Sequence, residues 1–170
     1  MADNRSNIVL IGMPGAGKST LGVVLAKILG KDFLDCDLLI QKQYGKTLQR
    51  IIDERGPEGF IAFENDVLAG IEAENTIVST GGSAVYSPEA MEHLATLGPV
   101  VYLQISYEEL KRRLGDFQER GVVMKGGMGM SLRDLYDERS PLYAQFAEIT
   151  VNVDDLSITA AARKVAAAVR

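Results

Sequence analysis

Short strand-like runs alternate with segments of helical periodicity along most of the chain. Five strands are predicted at 8–11, 33–34, 76–79, 100–103 and 149–153. Apolar residues at helical spacing predict helices at 18–29, 58–72, 88–97, 107–114, 132–146 and 158–169, with shorter helical pieces at 38–43 and 48–53. The helix at 132–146 is expected to be interrupted near Pro141. Because strands and helices alternate, the pattern predicts an α/β fold whose parallel sheet is covered on both faces.

Several residues mark the ends of the predicted helices. Gly30 is placed to terminate the first helix, and Ser106 and Ser157 are placed to cap the N-termini of two later ones. In a parallel sheet of this kind, ligands bind at the carboxyl ends of the strands. The polar residues that follow the predicted strands are therefore the first candidates for a functional site.

The stretch 115–131 does not fit the alternation. It contains five glycines and three methionines, which is too much glycine for a helix, and it is too long for a simple turn. It is either a disordered surface loop or a mobile lid over a site. We favour the lid because Arg120 lies within it and a nucleotide site is indicated independently.

The segment from Gly12 to Ser19 carries the clearest chemical signal. It reads G-M-P-G-A-G-K-S and matches the phosphate-loop pattern G-x-x-x-x-G-K-[ST] without a mismatch, between an apolar strand and an amphipathic helix. Glycines allow backbone N–H groups to surround phosphate oxygens, and the helix N-terminus adds positive charge there. Lys18 would reach the terminal phosphates and Ser19 would coordinate Mg²⁺. The residues predicted to bind nucleotide are Gly12, Gly15, Ala16, Gly17, Lys18 and Ser19 of this segment, and Thr20 directly after it.

Two acidic residues, Asp35 and Asp37, follow the second predicted strand and should lie near the phosphate loop. Alternation along an extended chain places their side chains on the same side. One carboxylate can hold Mg²⁺ and accept a proton from an attacking hydroxyl, while the other can bind substrate hydroxyls. The alternative is that one of them only caps the following helix; for the pair beside a phosphate loop we favour function.

Size and charge narrow the class of protein. The chain has 170 residues, enough for one domain with a sizeable core. A net charge of −5 argues against a nucleic-acid binder that relies on a broad basic face. Apolar runs are too short to span a membrane, and a single cysteine excludes an intrachain disulfide. We expect a cytoplasmic monomer with no nucleic-acid or membrane partner.

With these motifs in place, the chain resembles the shikimate kinase family from about residue 7 to residue 170. The D-x-D of that family is matched by Asp35 and Asp37, and its T-G-G-G substrate turn by residues 80–83, which include Gly81 and Gly82. Its R-x-P-L-Y motif is matched in full from Arg139 to Tyr143. The resemblance implies a three-layer P-loop kinase fold of the nucleoside-monophosphate-kinase type, with strand order 2-3-1-4-5 and a mobile lid.

The resemblance also implies roles for particular residues. Arg113 matches the arginine that stacks on adenine, and Arg120 matches a lid arginine that contacts phosphates. Arg139 matches an arginine for the substrate carboxylate, and the residues implied to bind the acceptor are Asp37, Gly81, Gly82 and Arg139. Asp35 joins Ser19 as a metal ligand, and the implied catalytic residues are Lys18, Asp35 and Arg120.

The chain departs from the family at three positions on the acceptor side or the lid. The family motif G-E-x-x-F-R-x-x-E has an arginine that grips the shikimate carboxylate, and Ile61 stands in its place. Ser83 replaces the third glycine of the substrate turn, and Gly121 replaces the lid proline. Ile61 is equally well explained by ordinary core packing on a helix. Either a neighbouring cation replaces the arginine, from among Lys42, Lys46, Arg50 and Arg55, or the acceptor differs.

These observations predict one P-loop kinase domain over residues 1–170, with a lid at about 115–131 and a substrate-binding segment at about 37–64. The expected reaction is transfer of the γ-phosphoryl group of ATP, with Mg²⁺, to a hydroxyl of a small metabolite, with shikimate as the first acceptor to test. Two alternatives stay open. One is a related kinase with another hydroxylated acceptor, and the other is a catalytically weak nucleotide-binding protein of the same fold.

Overall fold

The computed structural model describes residues 5–114 and 130–170. Within them, the strands are β1 (Ile8–Ile11), β2 (Asp32–Asp35), β3 (Thr76–Ser79), β4 (Val100–Gln104) and β5 (Ile149–Asn152). The helices are α1 (Lys18–Leu29), α2 (Cys36–Tyr44), α3 (Leu48–Ala69), α4 (Pro88–Leu97), α5 (Tyr107–Leu114), α6 (Leu132–Phe146) and α7 (Ile158–Ala168). A short 3₁₀ turn at Ala84–Tyr86 was not predicted.

The five strands form one parallel sheet in the order β2-β3-β1-β4-β5, which confirms the predicted fold class and strand order. The central strand β1 pairs with β3 and β4, so that Val9 lies opposite Val78 on one side and Val100 on the other. Helices cover both faces of the sheet. Helix α1 packs on α7, α4 packs on α3 and β1, and α6 packs on β4.

The main hydrophobic core lies between the sheet and its helices, and all four residues of β1 are buried in it. A second apolar cluster joins α2 to α3 and consists of Ile40, Ile51, Phe60 and Val67. This cluster lies inside the segment predicted to bind substrate. The segment is therefore packed around apolar side chains of its own.

The predicted helix ends are confirmed where they can be compared. Gly30 adopts a left-handed conformation after α1. Ser106 Oγ accepts a hydrogen bond from the Glu109 backbone N–H at 3.2 Å, and Ser157 Oγ accepts one from the Ala160 N–H at 3.1 Å. Each serine thus satisfies a backbone donor in the first turn of its helix.

Helices α3 and α6 each contain a residue that disfavours a helix, and the outcome differs between them. Within α3, Gly56 has φ 72° and ψ 171°, so the helical pieces predicted on either side of it meet at a sharp break before Pro57. The interruption predicted near Pro141 is wrong, because α6 runs from Leu132 to Phe146 with the proline inside. Arg139 and Tyr143, on either side of Pro141, are both buried. Their packing keeps α6 helical although Pro141 has no backbone N–H to donate.

The carboxyl ends of β1, β2 and β3 lie side by side in the sheet and lead into the phosphate loop, the acidic pair and the glycine turn, respectively. This topology brings together three motifs that are far apart in the sequence. Among the described residues, no helix is both long enough and apolar enough to cross a bilayer.

Candidate active site

A cavity of about 640 Å³ opens at the carboxyl ends of these strands. The phosphate loop, Asp37 and the glycine turn form its polar walls, and Leu48 and Phe60 contribute an apolar side. Its cationic side chains, among the described residues, are Lys18, Arg113 and Arg139. A volume of this size is within the range of small-molecule sites.

The phosphate loop has the backbone that its glycines were expected to provide. Gly15 and Gly17 have φ values of 87° and 92°, a left-handed region in which other residues are strained. Gly17 immediately precedes α1, whose N-terminal N–H groups face the cavity end of the sheet. The loop therefore presents the backbone N–H donors and the helix N-terminus that bind phosphate in other proteins with such a loop.

Lys18 is buried against the loop that contains it. Its Nζ donates to the backbone oxygens of Gly12 at 2.7 Å and Met13 at 2.9 Å. Burial lowers the pKa of Lys18 to about 8, and Arg139 acts in the same direction, whereas Asp37 and Asp35 oppose the shift. The two acids thus keep a desolvated ammonium group charged near neutral pH.

Asp35 makes two kinds of contact, one with each of its carboxylate oxygens. Its Oδ2 accepts a hydrogen bond from Ser19 Oγ at 3.0 Å. Its Oδ1 accepts from the backbone N–H groups of Asp37 at 2.9 Å and Leu38 at 3.2 Å, and thereby caps α2. Asp35 therefore caps α2 and also contacts the phosphate-loop residue Ser19, although the sequence presented capping and function as alternatives.

Ser19 and Asp35 provide the oxygen donors that Mg²⁺ prefers. No cluster of three or more His, Cys, Asp or Glu side chains able to hold a metal ion occurs in the described part of the chain. The donor set therefore fits an ion shared with substrate phosphates rather than one enclosed entirely by protein side chains.

Asp37 lines the cavity beside the glycine turn. A Cβ atom added to Gly81 would lie only 2.6 Å from Asp37 Oδ1. The Asp37 carboxylate can occupy this position because residue 81 has no side chain. Burial raises the pKa of Asp37, and Asp35 adds to the shift, while Lys18 counteracts it. Asp37 is therefore a more basic carboxylate than an exposed one.

Arg139 is 1% exposed, yet its guanidinium group forms part of the cavity wall. Its Nε donates to the Tyr86 hydroxyl at 3.2 Å, and its Nη1 lies 2.8 Å from where a Cβ of Gly82 would be. The Tyr143 hydroxyl donates to the Gly82 backbone oxygen at 2.6 Å. Arg139 and Tyr143, which are one helical turn apart in α6, therefore both pack against the glycine turn.

Glu64 is a buried acid behind the same turn. Its Oε1 accepts from Ser83 Oγ at 2.7 Å, while its Oε2 is buried without a hydrogen-bond partner. Burial raises the pKa of Glu64 to about 7, Asp37 adds to this, and Ser83 and Arg139 counteract it. Glu64 keeps the place of the last glutamate in the family motif G-E-x-x-F-R-x-x-E, but no role was assigned to it from the sequence, because its partner Ser83 is distant along the chain.

Arg113 reaches the phosphate-loop end of the cavity from α5. Its Nη1 donates to the backbone oxygens of Gly15 at 3.4 Å and Ala16 at 3.3 Å, and its Nε donates to Glu109 at 2.8 Å. Thr20 also lines the cavity. The structure thereby brings together the predicted nucleotide-binding residues of the phosphate loop and Arg113.

The predicted lid at 115–131 lies outside the described residues except for its last two positions, and Arg120 lies outside them as well. Ser131 caps α6, with its Oγ accepting from the Asp134 backbone N–H at 3.0 Å. The proposed roles of the lid and of Arg120 remain predictions.

The four cations considered as replacements for the missing arginine are exposed and do not line the cavity: Lys42, Lys46, Arg50 and Arg55. Two of them already have other partners, since Lys46 pairs with Glu54 and Arg55 lies over the Phe63 ring at 5.7 Å. Ile61 itself packs against the apolar cluster between α2 and α3. Among the described residues, Arg139 is therefore the cation beside the glycine turn, and Lys18 lies in the adjoining phosphate loop.

Comparison with known proteins agrees with this geometry. A family model described as "Shikimate kinase" matches residues 14–170. The chain belongs to the shikimate kinase family. The shikimate kinase of Thiobacillus denitrificans is 38% identical over 160 residues, covering 94% of this chain and 87% of that protein. Membership confirms the predicted family and the class of small-molecule phosphotransferase.

Solved structures of family members have the same fold. The shikimate kinase from Acinetobacter baumannii, determined in complex with shikimate, is 33% identical and superposes with a TM-score of 0.83, covering 94% of this chain and 90% of that one. The enzyme from Aquifex aeolicus is 29% identical, with a TM-score of 0.80 and 95% of each chain covered. The family fold therefore extends over nearly the whole chain.

Proposed function

We propose that this protein transfers the γ-phosphoryl group of ATP, with Mg²⁺, to a hydroxyl group of shikimate. The observation that carries the proposal is the shared cavity. The phosphate loop borders the same cavity as Asp37 and Arg139, so a phosphate donor and a hydroxylated carboxylate fit side by side. Family membership supports shikimate as the acceptor.

At the donor end, Lys18 and the N–H groups of the loop bind the β- and γ-phosphates of ATP. Lys18 exchanges the carbonyl contacts to Gly12 and Met13 for phosphate oxygens, which are stronger partners for an ammonium group. Arg113 borders the loop on the side of the nucleotide, where the family resemblance places the adenine base. Arg120 is assigned to the transferring phosphate by the same resemblance.

Mg²⁺ would be held by Ser19 and Asp35, with the phosphates completing its ligands. When bound, it neutralises phosphate charge and helps to orient the γ-phosphoryl group. Ser19 Oγ and Asp35 Oδ2 already lie 3.0 Å apart, so both oxygens are directed to one place. The capping contacts of Asp35 Oδ1 fix the carboxylate on the backbone of α2.

At the acceptor end, Arg139 binds the carboxylate and Asp37 binds the reacting hydroxyl. We assign proton transfer to Asp37 rather than to Asp35, because both oxygens of Asp35 are engaged while Asp37 lines the cavity. The hydroxyl oxygen forms the new bond to γ-phosphorus, its proton passes to Asp37, and the bond to the β–γ bridging oxygen breaks to release ADP. The raised pKa of Asp37 favours this proton transfer.

The test is acceptor-dependent ADP release with Mg²⁺ and ATP. The acceptors are shikimate, a shikimate analogue without the carboxylate, simple polyols and a nucleoside monophosphate. We expect ADP release above the background with shikimate, and much less with the analogue. ADP release with another acceptor but not with shikimate would show that the assigned acceptor is wrong. Nucleotide binding without any acceptor-dependent ADP release would indicate a catalytically weak protein.

A further inference from the structure

Arg139 is a buried cation whose partners lie on its own helix and on the segment after the glycine turn. A guanidinium group that is 1% exposed must have its donors satisfied, yet it must also keep a fixed edge turned toward the cavity. Lys18 is a like charge in its vicinity, since Arg139 contributes to the lowered pKa of that lysine. The side chains that contact Arg139 therefore decide how it is oriented before any substrate binds.

The neighbouring acid in α6, Glu138, is poorly placed to do this directly. Consecutive residues on a helix point about 100° apart and do not face each other. Tyr86, at the end of the 3₁₀ turn that follows the glycine turn, connects the two side chains. Its hydroxyl donates to Glu138 Oε2 at 2.5 Å and accepts from Arg139 Nε at 3.2 Å.

The direction of these hydrogen bonds makes Tyr86 a bridge between the two charges. Because the hydroxyl proton points to the Glu138 carboxylate, a lone pair of the same oxygen is turned to the Arg139 Nε–H. The tyrosine ring also lies near the guanidinium group, whose carbon is 5.2 Å from the ring centroid. Burial raises the pKa of the Tyr86 phenol, so the hydroxyl keeps its proton throughout the physiological range.

We propose that Tyr86 is a positioning residue for acceptor binding, which holds Arg139 through its Nε and keeps the Nη edge turned toward the cavity, where the substrate carboxylate binds. Glu138 acts through the Tyr86 hydroxyl by fixing its orientation. Since Tyr86 follows the glycine turn closely in sequence, this contact also sets the turn against α6. The inference rests on the proposed function, which assigns Arg139 to the acceptor.

The first test is the steady-state kinetics of Tyr86→Phe, which removes the hydroxyl and keeps the ring. A hydrogen bond to a charged group is worth enough to raise KM for shikimate about ten-fold. We expect that rise with kcat within about two-fold of wild type and KM for ATP unchanged. A KM for shikimate within two-fold of wild type, or an equal rise in KM for ATP, would overturn the inference.

Tyr136→Phe is the matched control, because it removes a phenol hydroxyl from the helix that carries Arg139. The Tyr136 hydroxyl donates to the Ile105 backbone oxygen at 2.9 Å, away from Arg139. We expect both variants to lower the melting temperature, but only Tyr86→Phe to raise KM for shikimate. If the two variants changed KM equally, Tyr86 would be a structural residue only.

A double-mutant cycle tests the role of Glu138, and its single variant Glu138→Gln remains informative if Tyr86→Phe folds poorly. Glu138→Gln keeps a hydrogen-bond acceptor for Tyr86 but removes the charge, and we expect about a three-fold rise in KM for shikimate. In the Tyr86→Phe background, the same substitution should add almost nothing. Fully additive effects would show that Glu138 does not act through the hydroxyl.

One measurement separates this inference from the proposed function. The Arg139 Nε–H proton can be followed by hydrogen exchange in the NMR spectrum without any substrate. We expect it to exchange slowly in wild type and in Tyr136→Phe, and at least ten-fold faster in Tyr86→Phe. Slow exchange of this proton in all three proteins would contradict the proposed contact between Tyr86 and Arg139. A protected proton in a wild-type protein that does not phosphorylate shikimate would show that the proposed acceptor is wrong, while the positioning of Arg139 would stand.

Discussion

Replacing Glu64 by glutamine removes a buried carboxyl group and keeps its shape, and we predict that the effect on stability depends on pH. Glu64 is fully buried, its Oε2 has no hydrogen-bond partner, and its pKa is raised from an ordinary 4.5 to about 7. Glutamine resembles the protonated acid, since its oxygen can still accept from Ser83. The two proteins therefore differ mainly where Glu64 is ionised.

The sign follows from proton binding in the two states. Between pH 4.5 and about 7 the folded protein holds a proton on Glu64 that the unfolded chain has lost, so stability falls as pH rises through this window. Each pH unit in the window corresponds to about 1.4 kcal/mol for a single group. From pH 5.5 to 8.5, wild type should lose about 2 kcal/mol of unfolding free energy relative to Glu64→Gln.

The assay is urea unfolding of both proteins at several pH values between 5.5 and 8.5, with the free energy of unfolding compared at each pH. Taking the difference cancels the groups that both proteins share. Glu58→Gln, at an exposed position of the same helix, controls for the loss of a negative charge. A wild-type minus Glu64→Gln difference that stays constant within about 0.5 kcal/mol would refute the reasoning, because Glu64 would then ionise alike in both states.

Three further variants probe the cavity itself. Lys18→Ala should reduce turnover at least a hundred-fold with the fold retained, and the rise in melting temperature that Mg²⁺ and ADP produce in wild type should shrink, as thermal shift and circular dichroism would show. Ile61→Arg should raise kcat/KM for shikimate about ten-fold or more, because the described cavity has few cations; unchanged kinetics would mean that another cation already serves. Gly82→Ala would place a Cβ 2.8 Å from Arg139 Nη1 and should destabilise by about 1–3 kcal/mol and raise KM for shikimate, whereas Gly70→Ala, with 3.5 Å clearance, should do neither.

The parts of the site that could be predicted from the sequence are those encoded locally. A phosphate loop needs a strand, a few glycines and a helix in direct succession, so Gly15, Gly17 and Lys18 could be assigned from the pattern alone. The same holds for Asp35 and Asp37, since position after a strand fixes which edge of the sheet they occupy. Local spacing did not reveal that Asp35 uses one oxygen to cap α2 and the other to contact Ser19.

The features that were missed depend on residues that meet only in the folded chain. Tyr86 contacts Arg139 from 53 positions away, and Ser83 contacts Glu64 from 19 positions away. Neither pair has a spacing that a sequence pattern could detect. The wrong interruption at Pro141 has the same origin, because a local rule about proline gave way to the tertiary packing of α6.

The proposed acceptor end of the cavity has a charge balance that links Ile61 to Glu64, the buried acid behind the glycine turn. Lys18 and Arg139 face Asp37 and Glu64, and all four groups are at least partly withdrawn from water. With Ile61 contributing no charge, an ionised Glu64 would cancel the positive charge that attracts a carboxylate. A protonated Glu64, held by a neutral donor, avoids both this cancellation and the cost of burying an unpaired charge. Ser83 donates to Glu64 and favours the ionised form, so burial and the neighbouring Asp37, rather than the serine at position 83, keep this acid protonated.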